Sequence, residues 1–203
     1  MKVEIRSESV EISGYVNAVG RESRPLRRAD GGYFTEIIQP GTFARALMRG
    51  KREMLLNHDQ NRVIGTEGDN LTLTEDAVGL FARATITDAE VMEKARNGEL
   101  RGWSFGFVPI KQRHEERNGM QLRTLEEIEL HEVSIIDKRM TPAYVATSVF
   151  TRSMEGDTEM EHRAMDYQDV ETVDATETRS EPDPTPEPVN YQPYFDRIEA
   201  LKA

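Results

Sequence analysis

The sequence predicts a β-rich α+β domain that is closed or strongly curved, followed by a disordered acidic tail. Apolar and polar residues alternate at period two through most of residues 1–150, which is the pattern of half-buried strands. Only two or three segments have the apolar spacing and the caps of helices. Beyond residue 150 the chain turns acidic, and residues 151–203 carry −9 of the net charge of −11.

The strand and helix assignments follow the chain order. The strand segments are VEIRSESVEISGYV (3–16), GGYFTEII (31–38), EMLLNHDQNRVIGTE (53–67), NLTLTEDAVGLFARATI (70–86), GWSFGFVPI (102–110) and QLRTLEEIELHEVSII (121–136). A short helix is predicted from about Thr42 to Met48, ended by Gly50. A second one begins after Asp88 as N-cap, buries Val91, Met92 and Ala95, and stops at Gly98.

The tail divides into two parts. Residues 151–190 are acidic and then Pro-rich, and such a composition buries too little apolar surface to offset the entropy of ordering. Residues 191–203 regain aromatic and helical character and are predicted to form a short docking helix. We therefore place one domain at 1–150, a disordered linker at 151–190 and the docking helix at 191–203.

Composition also excludes several classes of function. The chain has no cysteine, so disulfides and thiolate metal sites are ruled out. No apolar run reaches the roughly 20 residues of a membrane span, and we expect a soluble protein from a reducing compartment. The body of the chain is close to neutral, whereas a nucleic-acid partner would require a basic face. We expect neither a nucleic acid nor a membrane as partner.

Ser104 lies in GWSFGF, residues 102–107, which matches the G-x-S-x-G pattern of a nucleophile elbow. An elbow serine stands on a turn from a strand into a helix. Here the helical segment precedes the serine and a strand follows it, so the elbow interpretation is rejected. Strand alternation instead places Trp103, Phe105 and Phe107 on one face and leaves Ser104 between glycines on the other. The small face suits close approach by a peptide backbone; tight sheet packing with an inert serine is the alternative.

A serine nucleophile needs a base and a group that orients the base. His162 falls in the predicted tail and His114 in an exposed hairpin, which leaves His58 and His131 as candidates. In EEIELHEVSII (126–136), alternation puts Glu132 on a face that is otherwise apolar at both ends. An unpaired buried carboxylate is costly, so Glu132 is expected to be paired or functional.

These motifs, taken in order, carry a resemblance. The set LLNHD, then GWSFGF after a helix, then ELHEVSIIDKRMTPAY resembles the prohead maturation proteases of tailed bacteriophages, distant relatives of the herpesvirus assemblins. The resemblance covers most of residues 1–150 and implies a mostly antiparallel β-barrel of about seven strands with flanking helices. It implies Ser104 as nucleophile and His58 as general base. Aligning HEVSI with the third triad motif of the assemblins implies Glu132, with His131 as the alternative.

The resemblance also implies an activity and its setting. It implies a serine endopeptidase, without cofactor or metal, that cleaves scaffold and major capsid protein (or its delta-domain) inside the prohead in the host cytoplasm. In the relatives, arginines after the third triad residue contribute to the oxyanion hole, and Arg139, next to Lys138, is the candidate here. The herpesvirus relatives act as dimers, so a homodimer is one expectation. The acidic tail is expected to tether the enzyme and to be cleaved by it.

Two other classes of function stay open. In the first, the barrel is catalytically inactive and the protein serves capsid assembly as a scaffold. In the second, His58, Asp59, His131 and Glu132 form the zinc site of a metal-dependent hydrolase, since histidine and carboxylate ligands suit zinc. Strand geometry argues against the second, because adjacent residues of a strand point to opposite faces.

Overall fold

The computed structural model describes residues 1–28, 31–138, 149–152, 159–166 and 170–176. Two helices and thirteen strands lie in these ranges. The helices are α1 (Thr42–Leu47) and α2 (Ala89–Arg96). The strands are β1 (Lys2–Ile5), β2 (Val10–Ala18), β3 (Leu26–Arg27), β4 (Tyr33–Ile38), β5 (Glu53–Leu56), β6 (Val63–Thr66), β7 (Leu71–Glu75), β8 (Gly79–Ile86), β9 (Leu100–Arg117), β10 (Met120–Asp137), β11 (Val149–Arg152), β12 (Glu159–Asp166) and β13 (Glu171–Asp174).

The strands form two sheets. One has the order β13-β1-β2-β8-β7, and the other has the order β11-β12-β9-β10-β4-β3, with β5 pairing with β10 and β6. The β-rich character is confirmed. In the part of the chain that the structure describes, neither sheet closes into a barrel, and thirteen strands replace the expected seven or so. The prediction of a closed barrel is not confirmed.

The long hairpin of β9 and β10 organises the second sheet. Each strand has 18 residues, and the turn between them has Asn118 and Gly119 at positive φ of 54° and 76°, which both residue types tolerate. The hairpin that the sequence predicts around His114 is therefore confirmed. Strands β4 and β5 both pair in parallel with β10, β4 near its start and β5 near its end. This pairing brings the residues after β5 to the last third of β10.

The core lies between the two sheets and follows the predicted alternation of β9. Trp103, Phe105 and Phe107 are fully buried, and Phe105 meets Phe43 of α1 edge to face at 5.3 Å. Burying each such side chain contributes about 1.5–3 kcal/mol. The apolar face of GWSFGF is thus the face that joins the sheets, which leaves Ser104 on the opposite face.

Helix α2 agrees with its prediction in detail. The side chain of Asp88 accepts a hydrogen bond from the backbone N–H of Val91, which is an N-cap, and Val91, Met92 and Ala95 are the buried residues. Gly98 has a φ of 61° just beyond the helix end. Across the described ranges, no helix is long and apolar enough to cross a membrane.

The prediction of disorder from residue 151 is wrong for two segments. Strand β12 pairs with β9 and with β11, and β13 pairs in parallel with β1. Residues 177–190 and the docking helix expected at 191–203 lie outside the described residues. The first domain therefore reaches past the expected boundary at residue 150.

Candidate active site

Ser104 sits in the middle of the second sheet. Strand β9 continues straight through it, so the elbow interpretation remains rejected. Its partners in register are Ser134 on β10 and Ala164 on β12. The residue is 1% exposed, and its hydroxyl donates a hydrogen bond to the backbone carbonyl of Arg163 at 2.9 Å. The hydroxyl therefore faces the small side of β9, as alternation predicts, and is covered there by β12.

His58 lies in a tight turn directly after β5. Asn57 and His58 have positive φ values of 56° and 61°, which are uncommon for residues other than glycine. Three hydrogen bonds fasten this turn to β10. The N–H of Asn57 donates to the carbonyl of Ile135 at 2.9 Å, the side-chain oxygen of Asn57 accepts from the N–H of Asp137 at 3.0 Å, and the N–H of His58 donates to Ser134 Oγ at 3.2 Å.

The His58 ring meets Glu132. Its Nδ1 lies 2.7 Å from Glu132 Oε1, and the side chains are 13% and 3% exposed. The hydroxyl of Ser134 donates to the other carboxylate oxygen, Oε2, at 2.6 Å. Both oxygens of this buried carboxylate are thus hydrogen-bonded, as the cost of burying it requires. An ionised Glu132 assigns the proton of neutral His58 to Nδ1 and leaves Nε2 as an acceptor.

Ser104 and the His58–Glu132 pair occupy the same side of the sheet. Gly106 is in register with Glu132, and Ser104 with Ser134, so these four residues share one face of β9 and β10. Among the described contacts, the hydrogen bond of the Ser104 hydroxyl goes to Arg163 and not to His58. In structures without substrate, catalytic hydrogen bonds are often long or unformed.

His162 is a site residue that the sequence analysis missed. It lies on β12 opposite Gly106 and is 8% exposed. Its ring centroid is 4.2 Å from that of His58, and its Nε2 is 3.8 Å from Glu132 Oε1. His58, Glu132 and His162 offer ligand atoms within 4.8 Å of one another, so they could hold a metal ion.

The segment around His162 has the charged composition of a solvated tail because its charged side chains form a buried ion network. The side chains of Glu161 and Arg163, which flank His162, are buried against two charged residues of β4 and β10. Arg123 donates two hydrogen bonds of 2.8 Å to Glu161, and Arg163 donates two of 2.9 Å to Glu36. The charges of Glu161 and Arg163 are therefore inward-facing, and only the fold supplies their partners. No apolar alternation marks this strand.

The pKa values of the network follow from these pairs. Burial alone would raise the pKa of Glu161, but Arg123 and Arg163 outweigh it, and the pKa lies below its ordinary value. Burial would likewise lower the pKa of Arg163, yet Glu36 and Glu161 raise it above its ordinary value. Glu161 and Arg163 are thus charged at neutral pH.

The other sequence candidates lie elsewhere. His131 lies at the register shift between Leu130 and Glu132 and is exposed, with Glu129 as its charged neighbour at 3.7 Å. Asp59 is exposed and caps its own turn by accepting from the N–H of Asn61. His114 is exposed on the far part of β9. The metal set of His58, Asp59, His131 and Glu132 is therefore wrong, since it does not converge. Arg139 lies outside the described residues.

A buried serine beside a histidine that is held by a carboxylate contains the parts that serine peptidases use. The family of caudovirus prohead serine proteases matches residues 1–162, and the chain belongs to this family. Comparisons with curated proteins and with solved structures found no significant match. The match ends within β12, at His162, beyond the boundary expected from composition.

Proposed function

We propose that this protein is a serine endopeptidase of prohead maturation in which Ser104 is the nucleophile, His58 the general base and Glu132 the third triad member. Membership of the prohead serine protease family supports a role in capsid maturation. The observation that carries the assignment of residues is the 2.7 Å contact between His58 Nδ1 and Glu132 Oε1, on the sheet face that also bears Ser104.

The proposed reaction is two-step acyl transfer. Nε2 of His58 takes the proton of Ser104 as its oxygen attacks the scissile carbonyl, and the imidazolium then protonates the leaving amine. Water, activated by the same histidine, releases the acyl-enzyme. Glu132 holds the proton on Nδ1 and stabilises the imidazolium. Ser134, which donates to Glu132, fixes the carboxylate for this task. Arg139 remains the proposed oxyanion stabiliser.

One exchange of hydrogen bonds has to precede attack. The hydroxyl of Ser104 must leave the carbonyl of Arg163 and turn to His58, and substrate must reach a residue that is 1% exposed. A shift of β12 away from residues 102–107 of β9 would free the hydroxyl and open a path for the substrate.

The proposed substrates are the scaffold and the major capsid protein, or its delta-domain, inside the assembling prohead in the host cell. We further propose that the enzyme cleaves its own acidic tail, that it is a homodimer and that it is related to the herpesvirus assemblins.

The burial of Ser104 also favours a second candidate. A catalytically inactive assembly protein would retain the protease fold while β12 permanently covers the serine. This candidate predicts that Ser104→Ala has no effect on processing of the head.

The test is intact-mass analysis of the full chain over time, with and without the cognate capsid precursor. Wild type, Ser104→Ala and the control Ser7→Ala are compared, since Ser7 is exposed in the connection between β1 and β2 of the other sheet. We expect cleavage by wild type and by Ser7→Ala and none by Ser104→Ala. Equal cleavage by Ser104→Ala excludes Ser104 as nucleophile. If none of the proteins cleaves and phage that carry Ser104→Ala still form normal heads, the protein is an inactive assembly protein. If the enzyme cuts the precursor but itself stays full length, the proposal of self-cleavage is wrong.

A further inference from the structure

The side chains of His58, Glu132 and His162 come from three separate parts of the fold. They lie after β5, on β10 and on β12, and they are 13%, 3% and 9% exposed. Their ligand atoms nevertheless converge to within 4.8 Å of one another. Glu132 Oε1 lies between the two rings, 2.7 Å from His58 Nδ1 and 3.8 Å from His162 Nε2. The described chain thus builds a compact, mostly buried set of two imidazoles and one carboxylate.

Gly106 makes room for this set. It lies beneath the cluster on β9, in register with Glu132 on one side and with His162 on the other. A Cβ at this position would come within 2.6 Å of Glu132 Oε1 and 3.1 Å of His162 Nε2. Both distances are too short for ordinary contact, so a side chain here would displace the two ligand atoms. The glycine therefore leaves the space into which these donors point.

We propose that His58, Glu132 and His162 bind one divalent transition-metal ion, Zn²⁺ by the nature of the donors, and that this ion inhibits the enzyme. Two histidines and one glutamate, with a fourth position open to water, form a known tetrahedral zinc set. Metal–ligand bonds of about 2.1 Å separate tetrahedral ligand atoms by about 3.4 Å. The separations from Glu132 Oε1, 2.7 and 3.8 Å, bracket that value, and the two imidazole nitrogens lie within 4.8 Å of each other, so side-chain shifts of about 1 Å suffice.

The inhibitory part rests on the proposed function of His58. Binding of the metal at Nδ1 displaces the single proton of the neutral imidazole from this nitrogen to Nε2, with no net loss of a proton from the ring. With its proton on Nε2, the metal-bound imidazole cannot accept one from Ser104. Coordination also occupies the Glu132 oxygen that would stabilise the imidazolium. A bound metal ion therefore removes the general base, and β12, which supplies His162, is tied to the rest of the site.

Binding is tested without any assay of activity. The full-length, metal-free protein is titrated with Co²⁺, whose visible d–d absorption reports tetrahedral coordination, and with Zn²⁺ by calorimetry. We expect one site per chain. His162→Ala should weaken binding by about 100-fold or more, because losing even an outer-shell partner of a metal site costs 10–100-fold. His131→Ala is the matched control, since this histidine neighbours Glu132 in sequence but pairs with Glu129 and is outside the cluster.

Inhibition is measured in parallel on the capsid precursor, as the ratio of rates with and without Zn²⁺ for each variant. We expect Zn²⁺ to inhibit wild type and His131→Ala, and chelator to restore the rate. Absence of metal binding by the wild type overturns the site, and so does binding that His162→Ala leaves unchanged. If His162→Ala does not fold, Gly106→Ala replaces it. Activation or no effect of Zn²⁺ at saturation overturns the inhibitory role. Metal binding with no peptidase activity under any condition supports the site while it contradicts the proposed function.

Discussion

His58 Nδ1 and Glu132 Oε1 lie 2.7 Å apart although 74 residues separate them in the chain. The contact exists because β5 pairs in parallel with the end of β10, in the register that sets Leu56 opposite Ile135. The turn that follows β5 then carries the histidine back over Glu132. A shift of that register by one residue would turn Glu132 to the other face and dissolve the pair.

Glu132→Gln tests the role of this contact. The amide retains the shape of the carboxylate but neither holds the proton on Nδ1 nor stabilises an imidazolium, so we expect kcat to fall about 10³- to 10⁴-fold. Cleavage of the capsid precursor measures the effect. Glu129→Gln is the control, because Glu129 is 57% exposed and its described ion pair is with His131. A Glu132→Gln enzyme with most of its wild-type rate would contradict the triad.

Ser134→Ala tests the positioning of Glu132. Ser134 Oγ donates to Glu132 at 2.6 Å and accepts from the N–H of His58 at 3.2 Å, so its removal leaves two buried groups unpaired. A hydrogen bond to a charged group contributes about 1.5–3 kcal/mol, which corresponds to roughly a 10- to 100-fold loss in kcat. We expect KM to change little. Ser134→Thr keeps the hydroxyl and should recover most of the rate; equal losses in both variants would argue for packing alone.

Arg163→Met tests the attachment of β12. The variant leaves Glu36 buried without its bidentate partner, and breaking a buried ion pair from one side costs about 3–5 kcal/mol of unfolding free energy. Chemical denaturation provides the measurement. Arg62→Met is the control, since Arg62 is 37% exposed in its pairs with Asp88 and Glu90 and should cost at most about 1 kcal/mol. Losses of the same size in both variants would mean that the network does not hold β12.

The pKa of Glu161 predicts a loss of stability in acid. Because its pKa in the folded state is lowered, the unfolded chain binds more protons in the interval between the folded and unfolded pKa values, and stability rises with pH there. The contribution of Glu161 is fully present above its unfolded pKa of about 4.3 and is lost as pH falls through the folded value. Thermal unfolding between neutral pH and acid should show a steeper decline for wild type than for Glu161→Gln. Parallel curves would contradict the prediction.

Several features of the site could be predicted from local sequence. Alternation placed Trp103, Phe105 and Phe107 in the core and Ser104 on the small face, and the fold agrees. Burial of Glu132 was also predicted, but strict alternation set it on the face of Ile128 and Leu130, whereas a register shift between Leu130 and Glu132 turns it to the face of Gly106. The predictions for β9 succeed because the period of a regular strand is a local property of the backbone, and a bulge interrupts that period.

Other features could not be predicted from the local sequence pattern. Closure of the sheets depends on the twist and pairing of whole strands, and here two open sheets replace the expected barrel. The segment around His162 reads as acidic tail because Glu161 and Arg163 are charged. Their burial is tolerated only because Arg123 and Glu36 lie on strands that are 38 and 127 residues away in sequence.

The sequence by itself thus determined the strand-rich class, the helix capped by Asp88, the family, and the face of Ser104. Those properties depend on residue type and on spacing within one element. The tertiary structure alone decided that His58 meets Glu132, that β12 covers Ser104, and that His162 joins the site. Each of these depends on which strand pairs with which, and that choice is made by burial and ion pairing between residues far apart in the chain.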